Sequence, residues 1–166
     1  MAGFAQQPYA VMISFRFSES LNEANALQDA LQARGYRTFV SNETAGADLQ
    51  EAIATAMHQS QIQVLLATRT YGKKTNQQYS TFQEMNYALN HHSAFLVKMT
   101  DSPDGTWEEA ATEMALTGRM WEYWKPGAPM PEGLVDKIIA KLEAVRAAEP
   151  AVAPPAPVLA PAPKPS

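Results

Sequence analysis

Two separate segments of the chain hold three residue types that could act together on one ligand. Phe15 and Arg16 directly follow an apolar run, and Glu84 lies in the segment that begins at Tyr79. If the first segment ends a buried central strand and the second opens a helix after another buried strand, these side chains meet in one cleft. An aromatic face, a cation and a single carboxylate are what a pyridine dinucleotide would meet there.

The elements that must position these residues are predicted from an alternation of apolar runs and helical patterns. The predicted strands span 9–15, 37–41, 62–67, 94–99 and 119–124, and the predicted helices begin near 21, 48, 81, 106 and 131. Strict strand–helix alternation predicts a flavodoxin-like, three-layer α/β fold, with a five-stranded parallel sheet and helices on both faces. The pattern leaves the strand order open, and we expect 2-1-3-4-5.

Capping boxes mark several of the predicted helix starts. In a capping box, a Ser, Thr or Asp caps the first turn and a Glu three residues later reaches back to it. The pairs that fit this spacing are Ser20 with Glu23, Asp48 with Glu51, Thr81 with Glu84, and Thr106 with Glu109.

Length and composition divide the chain into one domain and a tail. We expect an N-terminal extension over residues 1–8, a single domain over 9–148 and a tail over 149–166. Seven of the 12 prolines fall within 150–166, where charge is almost absent. Such a segment is predicted to be a disordered, polyproline-like tail, and its partner, if it has one, is unknown.

Charge and cysteine content exclude several functional classes. A net charge of −4 and a pI near 5.4 argue against a nucleic-acid or anionic-membrane surface. The absence of cysteine removes disulfides, thiol catalysis and cysteine metal sites, and the histidines lack metal-ligand spacing, so we expect no metal. No run approaches the roughly 20 apolar residues of a membrane span, which favours a cytoplasmic protein.

Other functions of doubly wound sheets lack their motifs here. A phosphoacceptor receiver needs acidic residues after its first and third strands, but this chain has Phe15-Arg16 and Thr68-Arg69. The sequence contains no Gly-x-Gly-x-x-Gly after a strand, no phosphate-binding Walker loop and no Gly-x-Ser-x-Gly elbow. The standard dinucleotide, nucleoside triphosphate and serine hydrolase sites are therefore unsupported.

For the expected strand order, the site lies in the gap between the first and third strands, bordered by loops 14–19, 41–48 and 68–80. Each candidate also has a structural interpretation. Glu84 would cap its own helix with Thr81, Arg16 would pair with Glu19, and Tyr71 would anchor a loop. Residue spacing alone leaves both interpretations open.

The chain resembles a TIR domain over about residues 9–145. The resemblance rests on the order and spacing of several segments: Val11-Met-Ile-Ser-Phe-Arg16, Gly35-Tyr-Arg-Thr-Phe39, Val64 to Tyr71, and Phe82 to Leu89, the helix that bears the family's glutamate. The family contains enzymes that cleave NAD at the nicotinamide glycosidic bond and adaptors that only assemble. For the enzymes, the resemblance implies NAD as substrate, no cofactor, and homo-oligomers formed through TIR–TIR contacts.

The resemblance implies a catalytic role for Glu84 by position. The residues expected to bind substrate are Phe15, Arg16, Phe17, Ser41, Gly46, Thr68, Tyr71 and Ser80. Two departures point in opposite directions. Many enzymes of the family carry a tryptophan where this chain has Ser80, and the adaptors carry a proline that is absent from residues 41–46.

These observations predict an NAD+ glycohydrolase or cyclase in immune or cell-death signalling, giving nicotinamide and ADP-ribose or a cyclic isomer. The alternative is a non-catalytic scaffold that acts by homotypic assembly. A nucleotide-binding domain without turnover is a third hypothesis.

Overall fold

Five parallel strands form one sheet in a computed structural model that describes residues 8–40, 47–73 and 81–148. The strands are β1 (Val11–Ser14), β2 (Thr38–Val40), β3 (Ile62–Thr68), β4 (Ala94–Met99) and β5 (Glu122–Tyr123). The helices are α1 (Phe17–Ala33), α2 (Ala47–Gln59), α3 (Thr81–Asn90), α4 (Ala110–Leu116) and α5 (Leu134–Ala147). The predicted tail, 149–166, and residues 1–7 lie outside the described residues.

The sheet order is β2-β1-β3-β4-β5, which confirms the predicted flavodoxin-like order. All neighbouring strands pair in parallel, with Val11 opposite Thr38 in β2 and opposite Ile62 in β3. Every residue of β1 and β3 is buried, as their nearly continuous apolar sequences predict for strands that are covered on both faces.

Helices cover both faces of the sheet, because side chains alternate along each strand. On one face, Val11 and Ile13 of β1 pack with Leu27 of α1 and Ile138 of α5. On the other face, Met12 packs against α2, while Leu65 and Ala67 of β3 pack against α3 and α4. We refer to these as the α1/α5 face and the α2/α3/α4 face.

Two of the predicted capping boxes, Ser20 with Glu23 and Thr106 with Glu109, are wrong. Ser20 has non-helical angles (φ −147°, ψ 33°) inside α1, so the main helix does start there, but its hydroxyl has no hydrogen-bond partner. The Glu23 carboxylate accepts from the Gly127 N–H at 2.8 Å. Helix α4 begins at Ala110 without a side-chain cap, after Thr106 rather than at it.

Lysine 98 of β4 is buried between two tryptophans at the α4 side of the sheet. Its ammonium lies 4.9 Å from the ring centre of Trp107 and 5.0 Å from that of Trp121. Both distances are short enough for attraction between a cation and an aromatic face. Trp107 is fixed in turn by a 2.9 Å hydrogen bond from its Nε1 to the carbonyl oxygen of Ala67.

Candidate active site

Three polar side chains meet at the carboxyl ends of β1 and β3. Ser14 is the last residue of β1, Tyr71 lies in the turn after β3, and Glu84 lies in the first turn of α3. The Ser14 hydroxyl oxygen lies 2.5 Å from the Tyr71 hydroxyl and 2.5 Å from Glu84 Oε1. The trio occupies the point between β1 and β3 where ligands bind in open parallel sheets.

Local sequence explains why these side chains share the α2/α3/α4 face. Ser14 follows Met12 by two residues, so both point to the same face of the strand. Two hydrogen bonds hold the turn after β3 against the neighbouring helices: the Gly72 N–H donates to Thr81 Oγ1, and the Thr112 hydroxyl donates to the Tyr71 carbonyl. Tyr71 is thereby placed beside α3.

The electrostatics of the site keep Tyr71 neutral. Its side chain is fully buried, and burial together with the negative charge of Glu84 raises the pKa of Tyr71 well above its ordinary value. The hydrogen bond with Ser14 opposes this shift. A neutral phenol keeps its hydrogen, so Tyr71 can act as a hydrogen-bond donor within the trio.

Glu84 itself is nearly covered, with 4% of its surface exposed. A substrate that contacts its carboxylate therefore requires neighbouring side chains to move. Burial also strengthens the electrostatic attraction between a carboxylate and a cation that develops beside it, because the surrounding dielectric constant is low. The arrangement thus combines a strong electrostatic group with restricted access.

The two phenylalanines at the end of β1 differ in exposure. Phe15 is 3% exposed and packs in the core of the α1/α5 face, so stacking on a ligand would require its ring to leave that core. Phe17 begins α1 and is 36% exposed, which leaves part of its ring open to a ligand.

Arg16 is the N-cap residue of α1 and is partly buried. Within the part of the chain that the structure describes, its buried Nε has no hydrogen-bond partner, and no ion pair joins it to Glu19. Glu19 instead accepts hydrogen bonds from the Thr68 hydroxyl, at 2.5 Å, and from the Thr70 N–H.

The structure thus separates the predicted site residues. Tyr71 and Glu84 come together through Ser14, whereas Phe15 and Thr68 belong to the α1/α5 side, where Thr68 contacts the start of α1. The predicted binding residues Ser41, Gly46 and Ser80 lie outside the described residues. In residues 8–40, 47–73 and 81–148, no three His, Cys, Asp or Glu side chains are grouped so that they could hold a metal ion.

Ser14 was not among the site residues predicted from the sequence. The signal that could have found it is a small hydroxyl residue at the end of an otherwise apolar strand, beside the expected site. Hydroxyl groups that are wholly buried are normally hydrogen-bonded, so a serine at that position indicates a polar partner nearby.

A family model described as a TIR domain matches residues 11–123, which contain β1, β3 and the trio. The chain belongs to the TIR domain family. A search of curated proteins gave no match. Among solved structures, this TIR domain is similar to the TIR domains of the activated Roq1 resistosome, which directly recognizes the pathogen effector XopQ.

That similarity amounts to 18% sequence identity and a TM-score of 0.46, over 82% of this chain and 81% of the other. In the described part of the chain, no helix of the TIR domain is both long and apolar enough to cross a membrane.

Proposed function

We propose that this TIR domain cleaves NAD+ at the nicotinamide–ribose bond. The products are nicotinamide and either ADP-ribose or a cyclic isomer, and the setting is immune or cell-death signalling. The observation that carries the proposal is the Glu84 carboxylate in the first turn of α3, held by Ser14 between the ends of β1 and β3. NAD+ enters as the substrate, so no further cofactor is required.

One carboxylate is sufficient for this reaction. Ordinary glycoside hydrolysis needs a general acid to protonate the leaving group. Nicotinamide in NAD+ is already cationic and departs neutral, so that acid is unnecessary. The remaining requirement is stabilisation of an oxocarbenium-like ribosyl centre, which a buried carboxylate provides through its charge and through hydrogen bonds to the ribose hydroxyls.

Two further residues have properties that suit the substrate. Arg16 would pair with the pyrophosphate, since a guanidinium forms two parallel hydrogen bonds to phosphate oxygens. Phe17 would stack on a ring of the dinucleotide with its exposed face. Attack on the ribosyl centre by water gives ADP-ribose, and attack by the substrate's own adenine gives a cyclic isomer.

Nicotinamide release from NAD+ by the purified, concentrated protein tests the proposal. We expect turnover by the wild type and a loss of about 100-fold or more in Glu84→Gln, because the charge that stabilises the transition state is gone. Glu23→Gln is the matched control, since Glu23 is also a buried carboxylate that accepts a hydrogen bond, but it lies on α1.

Turnover should survive in the Glu23→Gln control, with far-UV circular dichroism confirming that both variants are folded. Equal background release by wild type and Glu84→Gln, at protein concentrations that permit self-association, would show that this domain does not cleave NAD+.

The second candidate is a non-catalytic scaffold that acts through homotypic TIR–TIR contacts. It is favoured by exposed apolar side chains near α4 and β5: Met114 is 82% exposed, Met120 94% and Trp121 38%. Met120 and Trp121 line a groove of about 240 Å³ with Phe95. Under this alternative, Met120→Glu abolishes concentration-dependent oligomers in light scattering, and NAD+ is unchanged by any form of the protein.

A further inference from the structure

No step of the proposed reaction uses the hydroxyls of Ser14 and Tyr71, yet both are buried in one group with the Glu84 carboxylate. Neither residue exposes surface to solvent, and they come from segments 57 residues apart. Ser14 Oγ is the shared atom, because it lies 2.5 Å from both Tyr71 Oη and Glu84 Oε1. The three side chains therefore form a linear chain with the serine in the middle.

The hydrogens of this chain have one consistent direction when Glu84 is ionised. A carboxylate can only accept, so the single Ser14 hydrogen points to Glu84 Oε1. The Ser14 oxygen is then the acceptor in its other contact, and the neutral Tyr71 hydroxyl is the donor. Two contacts thus hold two hydrogens, one each.

Charge strengthens the contact between Ser14 and Glu84. Hydrogen bonds to an ionised carboxylate are stronger than those between neutral groups, and neighbouring bonds in a chain polarise one another.

We infer that Ser14 and Tyr71 are positioning residues for Glu84: the hydrogen-bond chain from Tyr71 through Ser14 fixes Oε1 of the carboxylate in one orientation at the end of β1. The effect of this hydrogen-bond chain on turnover rests on the proposed function. The existence of the hydrogen-bond chain does not depend on that function, so the contacts and their effect on turnover can be tested separately.

Steady-state kinetics of NAD+ cleavage test the effect on turnover. Ser14→Ala should lower kcat about 10-fold or more and leave KM within about twofold, because the carboxylate remains but loses its orientation. Tyr71→Phe removes one oxygen atom and should lower kcat by a smaller factor. Ser14→Thr keeps the hydroxyl and should restore most of kcat.

Ser93→Ala is the matched control for the kinetics. Ser93 is a buried serine whose hydroxyl donates to Gln63 Oε1, before the start of β4 and so at the opposite end of the sheet. It should leave kcat unchanged. If Ser14→Ala and Ser93→Ala have equal kcat, or if Ser14→Ala changes only KM, the positioning role is refuted.

Thermal unfolding tests the hydrogen-bond chain from Tyr71 through Ser14 to Glu84 without a measurement of activity. Tyr71→Phe and Glu84→Gln should be coupled through Ser14, so that the Tm change of the double variant differs from the sum of the single changes by about 2 °C or more. In a Ser14→Ala background the same two substitutions should be additive. Additive Tm changes in the wild-type background would refute the hydrogen-bond chain through Ser14. Coupled Tm changes in a protein that releases no nicotinamide would refute only the proposed function.

Discussion

At the scale of single residues, the last residue of β1 and the residue after it have opposite environments, one polar and one apolar. Ser14 is directed to the α2/α3/α4 face and contacts Glu84, while the next residue, Phe15, packs into the α1/α5 core. Adjacent residues of an extended chain point to opposite faces, so this division follows from the strand geometry. Of these two neighbours, the serine contacts the carboxylate and the aromatic ring does not.

Removing the Tyr71 hydroxyl should change how stability responds to alkaline pH. The folded state raises the pKa of Tyr71. Below about pH 10 the phenol is neutral in both the folded and the unfolded state, so it does not change the free energy of unfolding with pH there. Above that pH the unfolded state loses the proton and the folded state keeps it, so stability falls as pH rises, by about 1.4 kcal/mol per pH unit.

We therefore expect urea unfolding of the wild type to weaken more steeply above pH 10 than that of Tyr71→Phe. The pKa of Tyr36 and of Tyr123 is also raised, but both remain in the variant and cancel in the difference. Parallel curves for the two proteins would mean that Tyr71 ionises as readily in the folded state as in the unfolded state.

At the scale of elements, the turn after β3 has no room for a side chain at Gly72. This residue has φ +88°, and a Cβ added to it would lie 1.9 Å from the Thr112 hydroxyl of α4. The same threonine donates a hydrogen bond to the Tyr71 carbonyl. The close approach of α4 thus fixes the segment that carries Tyr71.

Gly72→Ala should lower the free energy of unfolding by about 3 kcal/mol or more, because a steric clash adds to the backbone penalty. Gly118→Ala is the control, since Gly118 has the same φ of +88° but nothing within 4 Å of an added Cβ. It should cost about 1 kcal/mol. Equal losses in chemical denaturation would show that the approach of Thr112 to Gly72 is unimportant.

Sequence periodicity predicted the elements along the chain but not the partners of individual polar groups. The apolar runs of β1 and β3 predicted strands that are covered on both faces of a parallel sheet. The order 2-1-3-4-5 was expected from the common arrangement of doubly wound sheets, because the pattern itself left it open. The Ser20–Glu23 capping box failed because Glu23 bonds to Gly127, 104 positions away. Likewise, Thr68 is separated from Glu84 because its side chain takes the α1/α5 face at the end of β3 and contacts Glu19, and short motifs carry no information on that.

At the scale of the whole molecule, the core draws on residues from Ala10 to Leu142. Helix α5 closes the α1/α5 face through Leu134, Ile138 and Leu142, all of them buried. All five helices that the structure describes therefore end before residue 149.

Removal of residues 149–166 should leave the domain stable, with a Tm within about 2 °C of the full chain, because every helix that the structure describes is retained. Truncation after Gly133 is the matched comparison, and it should abolish cooperative unfolding because it removes α5. Scanning calorimetry distinguishes the two. If removal of residues 149–166 alone lowers the Tm by about 5 °C or more, the tail packs on the domain.

The position of Lys98 between Trp107 and Trp121 has an optical consequence. The chain has three tryptophans, and the third, Trp124, is buried on the α1/α5 side without this cation. A fixed positive charge about 5 Å from an indole perturbs the energy of its excited state. Intrinsic fluorescence of this protein would therefore contain two emitters beside a charge and a third, Trp124, whose indole N–H donates to the Ala128 carbonyl. Any partner that covers Trp121 could be followed without a label.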